Sequence, residues 1–291
     1  MSIVVNTNIA SMNAQRSLAA SGKDLQQAME RLSTGKKINS AADDAAGFAI
    51  AESMTAQVRG LNMSAKNAND ALGLLKVVEN ATNDVTDMLQ RVRELAVQAK
   101  NGTNSTSDIG NLQKEAEALM DEITRVSADT TYNGKKYIGE NSGNITIQTG
   151  YNDANTLVIS TAKVDSISLG MVTDIAAVAG SATAGNTTGV NDPGEYLDIS
   201  SATALTKITA AIDTVAGYKA GWGASQNRLE YTVSNLMNVV EFTSAARSRI
   251  QDADFAAEAA KLAKAQVLQQ TGAAMLAQAN AAPQLALQLI K

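Results

Sequence analysis

The groups best suited to bind or transform something in this chain are carboxylates, because the two most versatile side chains are missing. The 291 residues contain no histidine and no cysteine. Without histidine there is no imidazole to serve as general base near neutral pH, and the commonest metal ligand is lost. Without cysteine there is no thiolate nucleophile, no disulfide and no thiolate-bound zinc. A carboxylate-only or Ser/Lys arrangement is what remains. Asp43-Asp44 is the adjacent pair that suggests a cation, yet two acids just ahead of Ala45-Ala46-Gly47 also suit a helix start. The dipole at a helix N-terminus favours negative charge there, and that reading is adopted. No catalytic residue, cofactor site or metal site is assigned.

With chemistry set aside, the elements carry the argument. Leu18, Leu25 and Leu32 recur every seven residues near the N-terminus, with Met12 and Met29 beside them. Near the C-terminus, Phe255, Leu262, Val267, Leu268, Met275 and Leu276 line a second stretch, closed by Leu285, Leu287, Leu289 and Ile290. Apolar positions at helical spacing have to bury against a partner. For two such termini, the partner is the other end, a neighbouring molecule, or both. Composition agrees: 45% of residues are hydrophobic but only 3% aromatic, which suits long, closely packed helices. A net charge of −5 offers no basic face for nucleic acid. The opening Met1–Asn6 lacks the charged and apolar regions of a secretory leader, and no run of apolar residues is long enough to span a membrane.

The only prolines are Pro193 and Pro283, so nothing in the first two-thirds of the chain interrupts a helix. Ser33–Ser40 reads as a loop, with Ser40 or Asp43 capping a helix that runs to about Lys100. Its stripe is Met54, Val58, Leu61, Ala65, Ala68, Leu72, Leu75, Val78, Thr82, Val85, Leu89, Val92 and Ala96, with one phase slip after Leu75. At 1.5 Å per residue such a helix makes a rod about 80 Å long. Asn101–Gly110 reads as a polar loop, and the next helix carries Ile109, Leu112, Ala116, Leu119, Ile123 and Val126.

Character then changes. Asn133-Gly134 signals a turn, and Ile145–Thr149 with Thr156–Ser160 reads as a pair of strands. Ser166–Ser200 is rich in small and polar residues, contains the sequon Asn186-Thr187-Thr188, and has a turn at Asn191–Gly194. Helix returns at Leu205, Ile208, Ile212 and Val215. Gly217, Gly221 and Gly223 predict a kink or break near Trp222, each costing up to ~1 kcal/mol against alanine. Leu229, Val233, Leu236 and Val240 resume the stripe. The expected fold is mainly α. In the terminal arms, burial of Ile3, Val4, Val5, Ile9, Met12, Leu18, Leu25, Met29 and Leu32 falls short of the entropy lost on ordering the segment. The arms are therefore expected to order only on assembly.

Several motifs resemble one family. Asn6-Thr7-Asn8 and Glu30–Gly47 (ERLSTGKKINSAADDAAG) are similar to the N-terminal signature of bacterial flagellin, and Leu89–Gln98 (LQRVRELAVQ) to its outer-core helix motif. Ala246–Ile250, Asp252–Phe255, Gln266–Gln270, Leu276–Asn280 and Pro283-Gln284 match at the other end. The resemblance implies a long antiparallel, coiled-coil-like helical rod with paired terminal helices and a small β-hairpin in the middle. It implies a filament subunit with an inner-tube domain at 1–43 and 252–291. An outer-tube domain at 44–170 and 200–251, with a shortened surface segment at 171–199, completes it. Polymerisation would fall to Leu18, Leu25, Met29, Leu32, Phe255, Leu262, Leu276 and Leu285. The implied partners are further copies of the chain, an export chaperone on the C-terminal arm, a filament cap and hook-junction proteins. Arg91, Leu95 and Glu115 match the surface the family presents to a flagellin-sensing Toll-like receptor. The family's export through the flagellar channel fits an extracellular filament protein with no cleaved leader. A zinc-protease flagellin is excluded by the missing His-Glu-x-x-His pair. A junction-type or surface-displayed homologue with a binding role is the alternative.

Overall fold

The structure, a computed structural model, describes residues 7–139, 142–172 and 196–288, with backbone alone for 282–288. Ile3, Val4, Val5, Leu289, Ile290, the sequon at Asn186 and the Asn191–Gly194 turn lie outside the described residues. So do the side chains of Leu285 and Leu287, and 173–195 of the middle segment. The elements are α1 (Ile9–Thr34), α2 (Ala45–Ala99), α3 (Thr106–Asp129), β1 (Asn144–Gln148), β2 (Thr156–Ser160), α4 (Ala204–Gln251) and α5 (Phe255–Gln288). The fold is mainly α with one antiparallel hairpin, as expected. Two compact units form: Met1–Arg59 with Val239–Lys291, and Gly60–Asn238. Both α2 and α4 contribute residues to each.

In the unit of Gly60–Asn238 the stripe read from α2 becomes the core. Ala68, Leu75, Val78, Val85, Leu89, Val92 and Ala96 are buried, against Ala116, Met120 and Ile123 of α3 and Ile208, Val215 and Leu229 of α4. Thr82 sits on the same stripe, fully buried. Its hydroxyl donates to the Val78 carbonyl at 2.9 Å, so no polar group is left unpaired. Lys219 Nζ to Asn83 Oδ1 (2.6 Å) and Gln226 Nε2 to Glu79 Oε2 (2.9 Å) fasten α4 antiparallel to α2.

Three local expectations change. The polar stretch at Asn101–Gly110 is not all loop, because α3 begins at Thr106. Ser105 Oγ accepts from the Asp108 N–H at 3.2 Å, and Asp108 Oδ2 accepts from the Ser105 N–H at 3.0 Å. This capping box satisfies two orphan donors, and its Ser and Asp are the residues that make the segment look like a loop. At α2 the cap is neither Ser40 nor Asp43 but Asp44, whose Oδ1 accepts from the Gly47 N–H at 3.0 Å. Asp43 instead gathers the N–H groups of Asn39 (3.1 Å) and Ser40 (3.0 Å), and those bonds hold its carboxyl below the usual range. Gly47 leaves room for this cap, since a Cβ there would stand 2.5 Å from Asp44 Oδ2 and 2.8 Å from Ile38 Cδ1 and would push both side chains aside.

The third change concerns Trp222. No break occurs: α4 is one helix from Ala204 to Gln251. Trp222 is buried to 2% exposure, and its Nε1–H donates to the Ser160 carbonyl of β2 at 2.9 Å. Burial of a large indole that also finds an acceptor offsets the glycine cost.

The hairpin pairs Ile145 with Ile159 and Ile147 with Leu157. Leu157 and Ile159 face inward and Val158 outward. The Asn133-Gly134 signal holds. Both residues have positive φ (51° and 74°), and Tyr132 and Lys135 exchange both backbone bonds, the arrangement of a type I′ turn.

Candidate assembly surface

The other unit is built on the pair α1 and α5. Helix α1 starts at Asn8, whose Oδ1 accepts from the Ser11 N–H at 3.0 Å. It stops at Gly35, in the left-handed region at φ 70°, where a Cβ would meet the Phe255 ring at 3.8 Å. The two helices run antiparallel. Asn8 Nδ2 donates to the Ala279 carbonyl at 2.7 Å and Ser11 Oγ to Asn280 Oδ1 at 2.7 Å, while Arg31 Nη1 reaches Glu258 Oε1 at 3.3 Å at the opposite end. Backbone bonds from the Ala253 N–H to the Gly35 carbonyl (3.0 Å) and from the Lys37 N–H to the Gln251 carbonyl (2.7 Å) close that end.

Among the described side chains, what the pair buries is small. Ser11, Ser21 and Ala28 of α1 are covered, with Glu258 and Ala265 of α5. Leu18, Leu25, Leu32, Leu262 and Leu276 are half-buried along the seam. Met29 and Phe255 remain 52% and 59% exposed, joined by Ile9, Met12, Val267, Leu268 and Met275 on the same two helices. The backbone of Leu285 belongs to α5. So the expected polymerisation set divides into leucines in the seam and large side chains outside it. The residues missed were the small ones opposite the leucines. Their signal was in the sequence, as Ala265, Gly272 and Ala279 stand at the same seven-residue spacing as Leu18, Leu25 and Leu32.

Among the described side chains, Glu258 is the one buried carboxylate of the seam. Lys261 Nζ at 2.8 Å, and then Arg31, hold its carboxyl below the usual range. Arg31 Nε is buried without a hydrogen-bond partner.

A second surface lies in the larger unit. The Arg91 guanidinium donates to Glu115 Oε1 from Nε (3.0 Å) and Nη2 (2.8 Å), and to Glu94 Oε2 from Nη1 (3.0 Å). Glu115 first and Glu94 second raise the pKa of the arginine. Both partners of this bridge are exposed. Leu95, grouped with them by resemblance, is not: it is 1% exposed, in the core beneath. Its place one turn after Arg91 puts it on the inward stripe with Val92 and Ala96, so it supports the patch rather than offering a contact.

At the root of the middle segment, Val172 bridges Tyr196 and the Leu197 N–H donates to the Met171 carbonyl at 2.9 Å. Burial first, then the hydrogen bond to Asp121 (2.7 Å), pushes the Tyr196 phenol up to about 12. Among the described residues no group of acidic side chains gathers as a metal site, and none of their helices is long and apolar enough to cross a membrane.

Comparison with known proteins settles what the paired arms belong to. The N-terminal helical region of bacterial flagellin matches residues 5–142, and its C-terminal helical region matches 205–290. The chain belongs to the flagellin family. The flagellin of Halalkalibacterium halodurans is 37% identical over 99% of the chain and 100% of its own length. That of Bacillus subtilis is 37% identical over 99% of both chains. The crystal structure of Bacillus cereus flagellin is 27% identical, with a TM-score of 0.45 over 59% of this chain and 88% of its own. Flagellins are structural filament proteins, not enzymes, and the chain is a flagellar filament subunit that polymerises with copies of itself. A junction-type role is not favoured.

Proposed function

We propose that the arms, residues 1–43 and 252–291, line the inner tube of the filament and become ordered as each subunit joins. Residues 44–170 and 200–251 then form the outer tube, and 171–199 give the outside surface a much reduced outer domain. One observation carries this reading: after α1 and α5 have paired, large apolar side chains on both helices still face outward. Exposed rows of that kind call for a neighbour, and copies of the same chain supply it. Leu18, Leu25, Leu32, Leu262 and Leu276 hold the pair together, Met29 and Phe255 reach adjacent subunits, and Leu285 extends the contact.

Before assembly the same arms need cover. An export chaperone on α5 fits that need, and delivery unfolded through the flagellar channel fits a chain without cysteine. The filament cap and hook-junction proteins meet the first and last copies. The exposed Arg91–Glu115 bridge is the patch we assign to the flagellin-sensing Toll-like receptor, with Leu95 packed under it.

The test is regrowth. Filaments dissociated by heat and then cooled are expected to reform tubes in electron micrographs, with a gain in helical circular dichroism. A variant lacking residues 1–40 should stay monomeric. If the intact chain also stays monomeric, with the helix content of the truncated one, the reading fails. For the receptor patch, reporter cells should respond less to Arg91→Ala than to the unaltered chain, and equal responses would remove it.

A further inference from the structure

We infer that Arg31 and Glu258 determine which register α1 and α5 adopt, a choice that the leucines of the seam leave open. Four observed meetings define the register. Ser11 meets Asn280, Leu18 meets Gly272, Arg31 meets Glu258 and Gly35 meets Phe255. Partners therefore climb α1 one residue for each residue descended on α5. That register sets Leu25 level with Ala265, and in the other direction Leu262 level with Ala28 and Leu276 level with Ala14. A large side chain on one helix stands opposite a small one on the other.

The same pattern fits more than one register. Both helices repeat it every seven residues, the period of a coiled-coil seam. If α1 slides seven residues toward its own N-terminus, about 10 Å, Leu18, Leu25 and Leu32 come level with Ala279, Gly272 and Ala265. Each leucine again faces a small residue, so the leucines themselves do not penalise the change; the apolar cost falls on Ile38, 2% exposed in the joining segment, and on the meeting of Phe255 with Gly35. Residues 35–44, which join α1 to α2, are long enough to extend by that distance.

The polar groups do penalise it. In the slid register Glu258 loses Arg31, and Arg31 comes level with Gln266. Glu258 keeps Lys261 of its own helix, but Arg31 is left as a covered charge without its partner, and breaking a buried pair in this way is far more costly than replacing both members by apolar groups. The backbone bonds between Gly35 and Ala253 and between Lys37 and Gln251 also open, but those groups can exchange to water. Arg31 and Glu258 are thus positioning residues for the pairing that carries the assembly surface. The inference rests on α1 and α5 pairing within one chain and not on when they become ordered.

The chain has no cysteine of its own, so engineered pairs report register without background. A Cβ at position 272 stands 4.0 Å from Leu18 Cβ, within the ~3.5–4.5 Å span of a disulfide. Full-length Leu18→Cys/Gly272→Cys is expected to close within one chain in filaments oxidised with copper, giving a monomer of altered mobility on denaturing gels. Leu25→Cys/Gly272→Cys also loses one leucine but is expected to stay open. In the background Arg31→Met/Glu258→Leu, the second pair is expected to close at least about tenfold more than before, because an apolar pair no longer selects a register. Closure of the first pair alone in that background would overturn the inference, since leucine packing would then set the register. Failure of both would overturn it too, because the ions would be holding the arms together rather than choosing between registers. So would closure of both pairs with Arg31 and Glu258 intact. If the arms are already ordered before assembly, the first pair will close in the monomer as well, which separates that question from this one.

Discussion

The two compact units use long helices with the same kind of periodic sequence and reach opposite interiors. In Gly60–Asn238, Leu75, Leu89, Met120, Ile123, Ile138, Ile159 and Ile208 are all below 2% exposed. In the arm pair, α1 and α5 bury Ala28, Ala265, two serines and a glutamate, and expose Ile9, Met12, Met29, Phe255, Val267, Leu268 and Met275. Amphipathic periodicity is therefore not enough to say where a core will be. Three helices and a hairpin enclose a volume that large side chains fill. Two helices alone meet along a line, and the rest of each apolar face is left for other molecules.

The largest test of this contrast is truncation at matched leucine and methionine sites. Leu89→Ala removes a fully buried side chain and is expected to cost ~2–5 kcal/mol, read as an earlier thermal transition of the monomer. Met29→Ser, at 52% exposure, should change monomer stability by less than ~0.5 kcal/mol. It should instead raise the subunit concentration needed for filament growth. Equal losses of monomer stability from the two would erase the distinction between the units.

Next in size is Trp222→Phe. The ring volume is largely kept, but the Ser160 carbonyl loses its donor. Ser160 is itself exposed, so the loss is that of one part-buried hydrogen bond, ~0.5–1.5 kcal/mol, measured by denaturant unfolding of the larger unit. A loss confined to the arms would contradict the packing described.

The arm seam should also respond to acid. Glu258 has its folded pKa below the ordinary 4.5, so its contribution is complete above that value and is lost as pH falls through the lower folded one. Arg31 on α1 and Lys261 on α5 face it, and Asp24 on α1 and Lys264 on α5 line the same notch. Filaments taken below pH 4.5 should lose helical circular dichroism from the arms before the larger unit melts. Glu258→Gln should remove that pH dependence. The smallest effect is expected at Arg91→Ala, because its bridges are exposed and screened by salt. Its melting transition should overlay that of the unaltered chain.

Much of this was legible in residue spacing. The stripe from Val58 to Ala96, the Asn133-Gly134 turn and the two strands follow from short-range rules of period and φ, which act within a few residues. The missed features each needed a distant partner or a side chain acting on its own backbone. Asp44 rather than Asp43 caps α2 because only one of two adjacent acids can reach the Gly47 N–H. The glycines of α4 suggested a break because β2, which anchors Trp222, lies 62 residues away in sequence. Leu95 joined an exposed set by motif, while its position on the helix turned it inward.

The sequence by itself determined that this is a helical assembly chain of the flagellin family. Its missing imidazoles and thiols, its periodic apolar residues and its terminal motifs are properties of order along the chain. Tertiary structure alone decided which apolar residues become core and which become contact surface. It also decided which of two equivalent leucine registers the arms use. The physical reason is that burial depends on how many elements surround a side chain, and a seven-residue repeat is identical to itself after a shift of seven. The covered charges of Arg31 and Glu258, meeting across the seam at 3.3 Å, together with the Ser11–Asn280 and Lys37–Gln251 bonds at its two ends, distinguish one position from the next.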